Sequence, residues 1–225
     1  RKYPVELARG NARKRGLPRQ AGHRAGAENL RRIIRACVEF KIKILTIYAF
    51  STENWRRPVD EVKFLMNFNE RILLNRRDEM NERNVKLQFI GRRDWRVPRR
   101  LIRRIEETEA LTGANTAMTV SIAFNYGGRA EIIDAVRQIV ASGVKAERID
   151  EKMISRHLYD PKMPEPELMV RTSGEFRTSN FLMWELAYAE LVFTDVLWPD
   201  FRRENLYDAI NEYQLRDRRF GGLNR

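Results

Sequence analysis

The sequence of 225 residues lacks the features that define several classes of protein. Its one cysteine, Cys37, and two histidines exclude an internal disulfide and a cysteine–histidine zinc cluster. Its apolar runs, such as residues 44–50, fall well short of the ~20 residues that span a bilayer. The opening residues Arg-Lys-Tyr-Pro do not resemble a secretory signal. We therefore expect a cytoplasmic protein.

Positive charge is concentrated at the start of the chain. The sequence holds 43 Lys and Arg against 31 Asp and Glu, a net charge of +12, and residues 1–35 supply +9 of it. Such a block is compatible with a solvated basic surface, or with an anionic partner: nucleic acid, lipid headgroups or a phosphorylated small molecule. Residues 4–39 contain no aromatic side chain to stack on bases, which favours contacts with phosphate.

Strand and helix patterns alternate along the chain. Apolar, β-branched segments predict strands, and apolar residues at helical spacing predict the helices between them. The predicted strands are 43–48, 85–90, 118–124, 167–170 and 191–193, and the predicted helices are 27–40, 60–83, 98–111 and 129–140. This order predicts an α/β fold in a single domain, residues 1–225, with a mostly parallel central sheet flanked by helices.

Polar loops follow three of these strands, where parallel sheets place their ligands. Residues 49–58 carry hydroxyls, an amide, a carboxylate and two arginines, and residues 171–180 carry two arginines, hydroxyls and a glycine. Residues 125–129 add glycines before a helix. Arginine forks match phosphate oxygens, so these loops predict an anion site. The dinucleotide and P-loop glycine patterns are absent, so a nucleotide cofactor is not indicated.

Five ordered motifs resemble those of the cis-prenyltransferases, and the resemblance covers about residues 12–222. The motifs are RQAGHRAG at 19–26, YAFSTENW at 48–55, FNYGGR at 124–129, RTSGEFRTSNF at 171–181, and AYAE at 187–190 with WPD at 198–200. Bacterial undecaprenyl diphosphate synthases match best, and RRFGG at 218–222 resembles the end of that family.

The resemblance implies prenyl chain elongation with cis geometry. Farnesyl diphosphate would accept successive isopentenyl diphosphates, with Mg²⁺ as cofactor, to give a product such as undecaprenyl diphosphate. The helix at 60–83 would wall a hydrophobic tunnel for the chain. The family implies a homodimer, a product delivered to the membrane, a cytoplasmic location that extends to the membrane surface, and no nucleic-acid partner.

Site roles carry over by position, and each is implied by the resemblance. Asn54 matches a position assigned as proton acceptor; since an amide is a poor base, we interpret it as orienting a proton path. Glu190 matches a metal ligand. Substrate contacts fall on residues of the loops and of the RQAGHRAG motif: Arg19, His23, Ser51, Thr52, Glu53, Trp55, Arg57, Arg171, Arg177, Thr178 and Ser179.

The start of the chain departs from the family. Relatives carry a strand ending Asp-Gly-Asn-Gly-Arg-Trp, whose Asp holds Mg²⁺, whereas this chain reads Glu6-Leu-Ala-Arg. Two hypotheses explain the difference: a non-catalytic partner subunit, or a segment missing from the sequence near Asn11–Ala12. We favour the second, because the other motifs are intact and a sheet needs its core strand. It predicts a chain interruption between residues 10 and 13.

Overall fold

The computed structural model describes residues 19–217, with side chains from residue 21 onward. They fall into two compact units, one of residues 37–162 and the other of residues 19–36 with 163–217. The elements in chain order are α1 (Arg19–Glu39), β1 (Ile44–Ser51), α2 (Val59–Glu82), β2 (Val85–Ile90), α3 (Arg99–Thr112), β3 (Met118–Tyr126), α4 (Gly128–Ala141), α5 (Glu151–Arg156), β4 (Leu168–Arg171), β5 (Glu190–Phe193) and α6 (Arg203–Gln214).

The unit of residues 37–162 is built on a parallel sheet with β3 in the middle. The strand order is β1-β3-β2, and Thr119 of β3 pairs with Ile44 on one side and with Lys86 on the other. Seven of the nine residues of β3 are buried, as expected of a parallel strand that is covered on both faces. Helix α2 packs against α3 and β2 and supplies Leu65, Met66 and Leu73 to the core.

Side chains of α3 cover the outer edge of β2. The backbone N–H of Leu87 donates to Thr112 Oγ1 at 3.0 Å, and the N–H of Phe89 donates to Glu109 Oε1 at 2.8 Å. These N–H groups point away from β3 and would otherwise present an open strand edge. Thr112 is fully buried, and its own hydroxyl donates to the carbonyl of Thr108 at 2.9 Å. The helix therefore completes the hydrogen bonding of this strand.

The other unit contains a two-stranded parallel sheet of β4 and β5, against which α6 packs. The WPD motif at 198–200 forms a 3₁₀ turn beside α1. Trp198 Nε1 donates to the carbonyl of Gly26 at 3.0 Å, and Asn29 Nδ2 donates to the carbonyl of Trp198 at 2.6 Å. Within this unit the motif is thus a structural clamp on the first helix.

The predicted α/β fold, with parallel strands flanked by helices, is confirmed. All five predicted strands and all four predicted helices are present, with shifted ends; α1 begins at Arg19 rather than residue 27, and α6 was not predicted. The described strands form two sheets. The extent of the domain stays a prediction. The interruption near Asn11–Ala12 and the motif at 218–222 lie outside the described residues. No described helix is long and apolar enough to cross a bilayer.

Replacing Thr112 tests the covering of β2. We expect Thr112→Val to lower the free energy of unfolding by ~1–3 kcal/mol, because it removes a buried acceptor without changing the side-chain volume much. Thr112→Ser keeps the hydroxyl and serves as the matched control, losing only a methyl group. Urea unfolding of both variants measures the difference; equal stability of the two would contradict a role for the hydroxyl.

Candidate functional site

The carboxyl ends of β1, β3 and β2 lie at one edge of the parallel sheet, so the loops that follow them share that edge. Strand β1 extends to Ser51, three residues beyond the predicted end, and its pairing with β3 shifts register twice between Tyr48 and Ser51. Irregularities of this kind redirect side chains and are common beside active sites. Here they lead directly into the 3₁₀ turn Thr52–Arg56, which carries the predicted substrate residues.

Asn54 is buried, with 1% of its surface exposed. Its Oδ1 accepts a hydrogen bond from the backbone N–H of Ser51 at 3.0 Å, which fixes the orientation of the amide. Its Nδ2 is buried and has no hydrogen-bond partner among the described residues. A buried donor without a partner is unfavourable by ~1–3 kcal/mol. The amide therefore has an unused donor to offer to a ligand.

The indole of Trp55 is held by the end of β3. Its Nε1 donates to Asn125 Oδ1 at 2.7 Å, and its ring lies edge-on to Phe50 with 5.0 Å between the centroids. Asn125 is fully buried and has a left-handed backbone, with φ of 50°. Asparagine is among the few residues other than glycine that adopt this conformation readily. The strand end thus presents its amide to the turn that follows β1.

The same asparagine holds the loop after β2. Asn125 Nδ2 donates to the carbonyl of Arg92 at 2.8 Å, and the Arg92 N–H donates to the Asn125 carbonyl at 3.2 Å. This close approach requires Gly91, whose φ is 127° and where a Cβ would overlap the carbonyl oxygen of Phe124. The three loops of this edge are therefore joined through one side chain.

Arg96, in the loop after β2, lies over the Trp55 ring with its guanidinium carbon 5.6 Å from the centroid. Asp94 fixes this arginine, since Arg96 Nε lies 3.2 Å from both oxygens of the Asp94 carboxylate and Nη2 donates to one of them. The hydrogen bond from Arg96 lowers the pKa of Asp94. Sequence analysis missed both residues, although the loop follows a strand of the same edge.

The remaining predicted residues of the first loop are engaged locally. Thr52 Oγ1 donates to Glu53 Oε2 at 3.3 Å. Arg57 pairs with Glu61 at 3.1 Å, and only 8% and 11% of these two side chains are exposed. A buried guanidinium that a carboxylate holds in place is preorganised for a second anion, because it has further N–H donors.

The loop after β4 belongs to the other unit and has an unusual backbone. Five of its residues have positive φ, among them Ser173, Ser179 and Leu182 at 74°, 53° and 44°. Such conformations are unfavourable for residues other than glycine and cluster at functional sites. The loop is pinned to the segment after β5: the Ser173 N–H donates to the Val196 carbonyl at 3.0 Å, and the Gly174 N–H donates to the Thr194 carbonyl at 2.9 Å.

This second loop carries the predicted cradle for the diphosphate. Arg171 ends β4 and is buried, while Arg177 is exposed and forms an ion pair with Glu175. Thr178 Oγ1 lies 3.7 Å from the sulfur of Met183, and Ser179 is half-buried. In α1, His23 is buried, and the side chain of Arg19 lies outside the described part.

Glu190 does not form a metal site with its described neighbours. It begins β5, at the end of the strand opposite to Phe193, which pairs with Arg171. Its Oε2 accepts a hydrogen bond from Arg216 Nη1 at 2.8 Å. Within residues 19–217, no group of three acidic, histidine or cysteine side chains could hold a metal ion. A single carboxylate engaged by a guanidinium is not by itself a magnesium site, because Mg²⁺ takes several oxygen ligands.

A polar cavity of about 840 Å³ lies beside the loop after β2. Arg92 is held there by Asp134, with Nε–Oδ2 at 2.7 Å, and the hydroxyl of Tyr159 donates to the same carboxylate at 2.6 Å. The hydrogen bond that Arg92 donates to Asp134 raises the pKa of Arg92, and burial raises the pKa of Tyr159. This polar lining differs from that of the predicted apolar tunnel, and the tunnel stays a prediction.

Comparison with known proteins places most of the chain in one family. The family model described as putative undecaprenyl diphosphate synthase matches residues 8–221. "Isoprenyl transferase 2" of Corynebacterium glutamicum is 50% identical over 214 residues, which cover 93% of this chain and 88% of that protein. The "trans,polycis-polyprenyl diphosphate synthase ((2Z,6E)-farnesyl diphosphate specific)" of Thermobifida fusca is 46% identical, covering 94% and 76%.

Two solved structures share the fold. Lavandulyl diphosphate synthase from Lavandula x intermedia, in complex with dimethylallyl diphosphate, has a TM-score of 0.90 at 37% identity, covering 95% of this chain and 93% of that one. A probable undecaprenyl diphosphate synthase from Campylobacter jejuni has a TM-score of 0.79 at 31% identity, covering 88% and 92%.

A double-mutant cycle tests the link between Asn125 and Trp55. Asn125→Ala should lower the free energy of unfolding by ~1–3 kcal/mol, since it leaves the indole N–H and the Arg92 carbonyl without their partner. Trp55→Phe removes the same N–H, so the two changes should be less than additive by ~0.5–1.5 kcal/mol in urea unfolding. Asn69→Ala is the control variant, because the Asn69 amide donates its hydrogen bond within its own helix, to the carbonyl of Leu65, and does not join two loops. Additive effects of Asn125→Ala and Trp55→Phe would contradict the link.

Proposed function

This chain belongs to the family of putative undecaprenyl diphosphate synthases, and on that premise we propose that it condenses isopentenyl diphosphate onto farnesyl diphosphate. It is a prenyltransferase that elongates prenyl chains with cis geometry. We infer a long product such as undecaprenyl diphosphate. Each cycle joins one isopentenyl unit to the allylic carbon, breaks that carbon's bond to diphosphate, and releases diphosphate and one proton.

The observation that carries this proposal is the buried, unpartnered amide donor of Asn54 at the carboxyl end of β1. A diphosphate oxygen would accept this hydrogen bond and satisfy the donor. An amide is a poor base, and Oδ1 already accepts a hydrogen bond from the Ser51 N–H, so Asn54 is poorly suited to accept the proton that the reaction releases. We therefore assign Asn54 to holding a substrate oxygen, which changes the interpretation that we made from the sequence.

The neighbouring side chains supply orientation and charge. The Trp55 indole, fixed by Asn125 and covered by Arg96, is suited to lie against a prenyl chain near its charged head. We assign Arg57 to the same substrate loop, and Arg171, Arg177, Thr178 and Ser179 to the isopentenyl diphosphate. We assign Arg19 and His23 to the allylic diphosphate on the basis of the matched motif.

A hydrophobic tunnel beside α2 is part of the proposal. Phe64, Phe68 and Ile72 follow one another at steps of four residues and are only half-buried, although each is strongly apolar. Phe64 and Phe68 stack with 5.5 Å between their centroids. This stripe is distinct from Leu65 and Leu73, which are buried in the core. A growing hydrocarbon chain would cover such a stripe.

The requirement for Mg²⁺ also belongs to the proposal. Mg²⁺ is commonly bound by one or two carboxylates together with substrate phosphates rather than by a cage of protein ligands. Since both substrates carry a diphosphate, we expect the ion to enter with them, and Glu190 to serve as a carboxylate ligand once it leaves Arg216. When bound, the ion would neutralise charge on the departing diphosphate.

We further propose a homodimer that acts in the cytoplasm and releases its product to the membrane. Support for an association surface comes from α4, where Ile133, Val136 and Val140 lie along one face and are 49%, 42% and 66% exposed. Apolar side chains at this spacing form a continuous stripe that a second copy could cover. A long polyprenyl product is insoluble in water, and the membrane is its natural acceptor.

An incorporation assay tests the function directly. With radiolabelled isopentenyl diphosphate, farnesyl diphosphate and Mg²⁺, we expect products whose length is resolved by chromatography, and EDTA should abolish their formation. No incorporation above the enzyme-free level would favour the alternative of a non-catalytic partner subunit.

Arginine substitutions test the diphosphate cradle. We expect Arg171→Ala and Arg177→Ala each to raise KM for isopentenyl diphosphate by about 10- to 100-fold, because each removes a charge-assisted hydrogen bond of ~1.5–3 kcal/mol. Arg203→Ala, at an exposed arginine that begins α6, is the control and should leave KM unchanged. Thermal unfolding shows whether the buried Arg171 variant is still folded. An unchanged KM in both cradle variants would contradict the assignment.

A further inference from the structure

We propose that the segment from the loop after β2 into the first turns of α3 is a docking surface for an anionic lipid bilayer. The surface is defined by Trp95, Arg99 and Arg103 and is called here the Trp95 surface. This proposal rests on the proposed function, because a prenyltransferase that makes a long hydrocarbon product must transfer that product to a membrane. The exposure of Trp95 and the charge of Arg99 and Arg103 point to this role.

Trp95 is 91% exposed, an extreme value for the residue type that buries the most apolar area. The residues around it in sequence are anchored. Arg96 is bound to Asp94, and Val97 is buried with its N–H donating to the Asp94 carbonyl at 3.1 Å. The turn therefore holds the indole outward. An outward tryptophan next to cationic side chains is typical of proteins that rest in the headgroup layer of a bilayer.

Residues 92–104 carry seven arginines and one aspartate, a net charge of +6. Five of these arginines pair with carboxylates: Arg92, Arg93, Arg96, Arg100 and Arg104. Arg99 and Arg103 have no carboxylate within ion-pair distance in the part of the chain that the structure describes. Both are exposed and lie one turn apart on α3. They supply the uncompensated charge of the Trp95 surface.

The position of these two arginines is unfavourable for the helix itself. Both lie in the first half of α3, whose first turn contains no acidic residue. The helix dipole disfavours cations near an N-terminus. Arg93 joins the preceding loop to the same side of α3, since it reaches Glu106 at 3.8 Å and Glu109 at 2.6 Å. A layer of negative headgroups would offset this charge.

An anionic bilayer fits these features better than a nucleic acid does. Single-stranded nucleic acids are bound through successive aromatic platforms, whereas this segment exposes one indole. The lipid surface also suits the chemistry of the site. Trp95 is bonded to Arg96, whose guanidinium covers the Trp55 ring. Docking through Trp95 would therefore bring the substrate loop of the same unit to the layer into which a polyprenyl product must pass.

Vesicle binding of the full chain, without substrate or metal, tests the proposal. The probes are vesicles of equimolar phosphatidylglycerol and phosphatidylcholine, and vesicles of phosphatidylcholine alone, with sedimentation as the measurement. We expect binding to the anionic vesicles only. Since each basic residue near an anionic surface contributes roughly fivefold in affinity, Arg99→Ser with Arg103→Ser should weaken binding by about 25-fold. Trp95→Ser should weaken it by about tenfold.

The matched control removes the same charge elsewhere. Lys145 and Arg148 are exposed residues at a short 3₁₀ turn, and Lys145→Ser with Arg148→Ser should leave vesicle affinity within about twofold of the unchanged protein. Equal losses in the control and in the Arg99/Arg103 variant would overturn the proposal in favour of unspecific attraction. Unchanged vesicle binding in the Trp95 and Arg99/Arg103 variants would also overturn it.

Two further measurements separate this proposal from its competitors. Loss of binding to a single-stranded RNA oligomer in the Arg99/Arg103 variant, with vesicle binding unchanged, would assign the surface to nucleic acid and overturn the lipid proposal. The incorporation assay in detergent, with soluble substrates, should give the same rate for these variants as for the unchanged protein. Vesicle binding can thus fail while turnover persists, so failure of the docking proposal is distinguishable from failure of the proposed function.

Discussion

The geometry of the loops in the unit of residues 37–162 depends on Asn125, which lies at the end of the central strand β3. Parallel pairing brings the ends of β1, β3 and β2 to one edge, but pairing alone does not fix the loops beyond them. The two ends of one buried amide do so, by accepting from Trp55 and donating to Arg92. The amide can serve both loops only because its own backbone is left-handed and because Gly91 allows β2 to pass close to β3. The positions of the loops at this edge are therefore fixed by one amide at the end of β3.

The elements of the fold could be predicted because their patterns are local. Buried strands such as β3 appear as apolar, β-branched runs, and α2 shows its helical period over 24 residues. The ends were harder to predict. Strand β1 continues through a register shift that no periodicity reveals. Helix α6 escaped prediction because only Leu206 and Ala209 of its twelve residues are buried, which leaves a weak apolar pattern.

The sequence predicted many residues of the candidate site, but it did not predict the contacts among them. Motifs identified Asn54 and Trp55, whereas the free donor of Asn54 depends on which neighbour occupies its oxygen. Asp94 and Arg96 lie outside the five sequence motifs. Only the tertiary structure shows that Arg96 lies over Trp55. The rule that ligands bind at the carboxyl ends of strands would have pointed to their loop, since it follows β2. A contact across two loops leaves no periodic signal in either of them.

Two of the arginines assigned to substrates are already paired with carboxylates. Arg57 is held by Glu61, Arg177 by Glu175, and the carboxylate of Glu190 by Arg216. A guanidinium has five N–H donors, so one carboxylate fixes its direction and leaves donors for a phosphate oxygen. Pairing also limits the repulsion that a set of bare cations would experience in a protein of charge +12. At each of these arginines a diphosphate then competes with a fixed carboxylate, which favours a ligand that offers several phosphate oxygens.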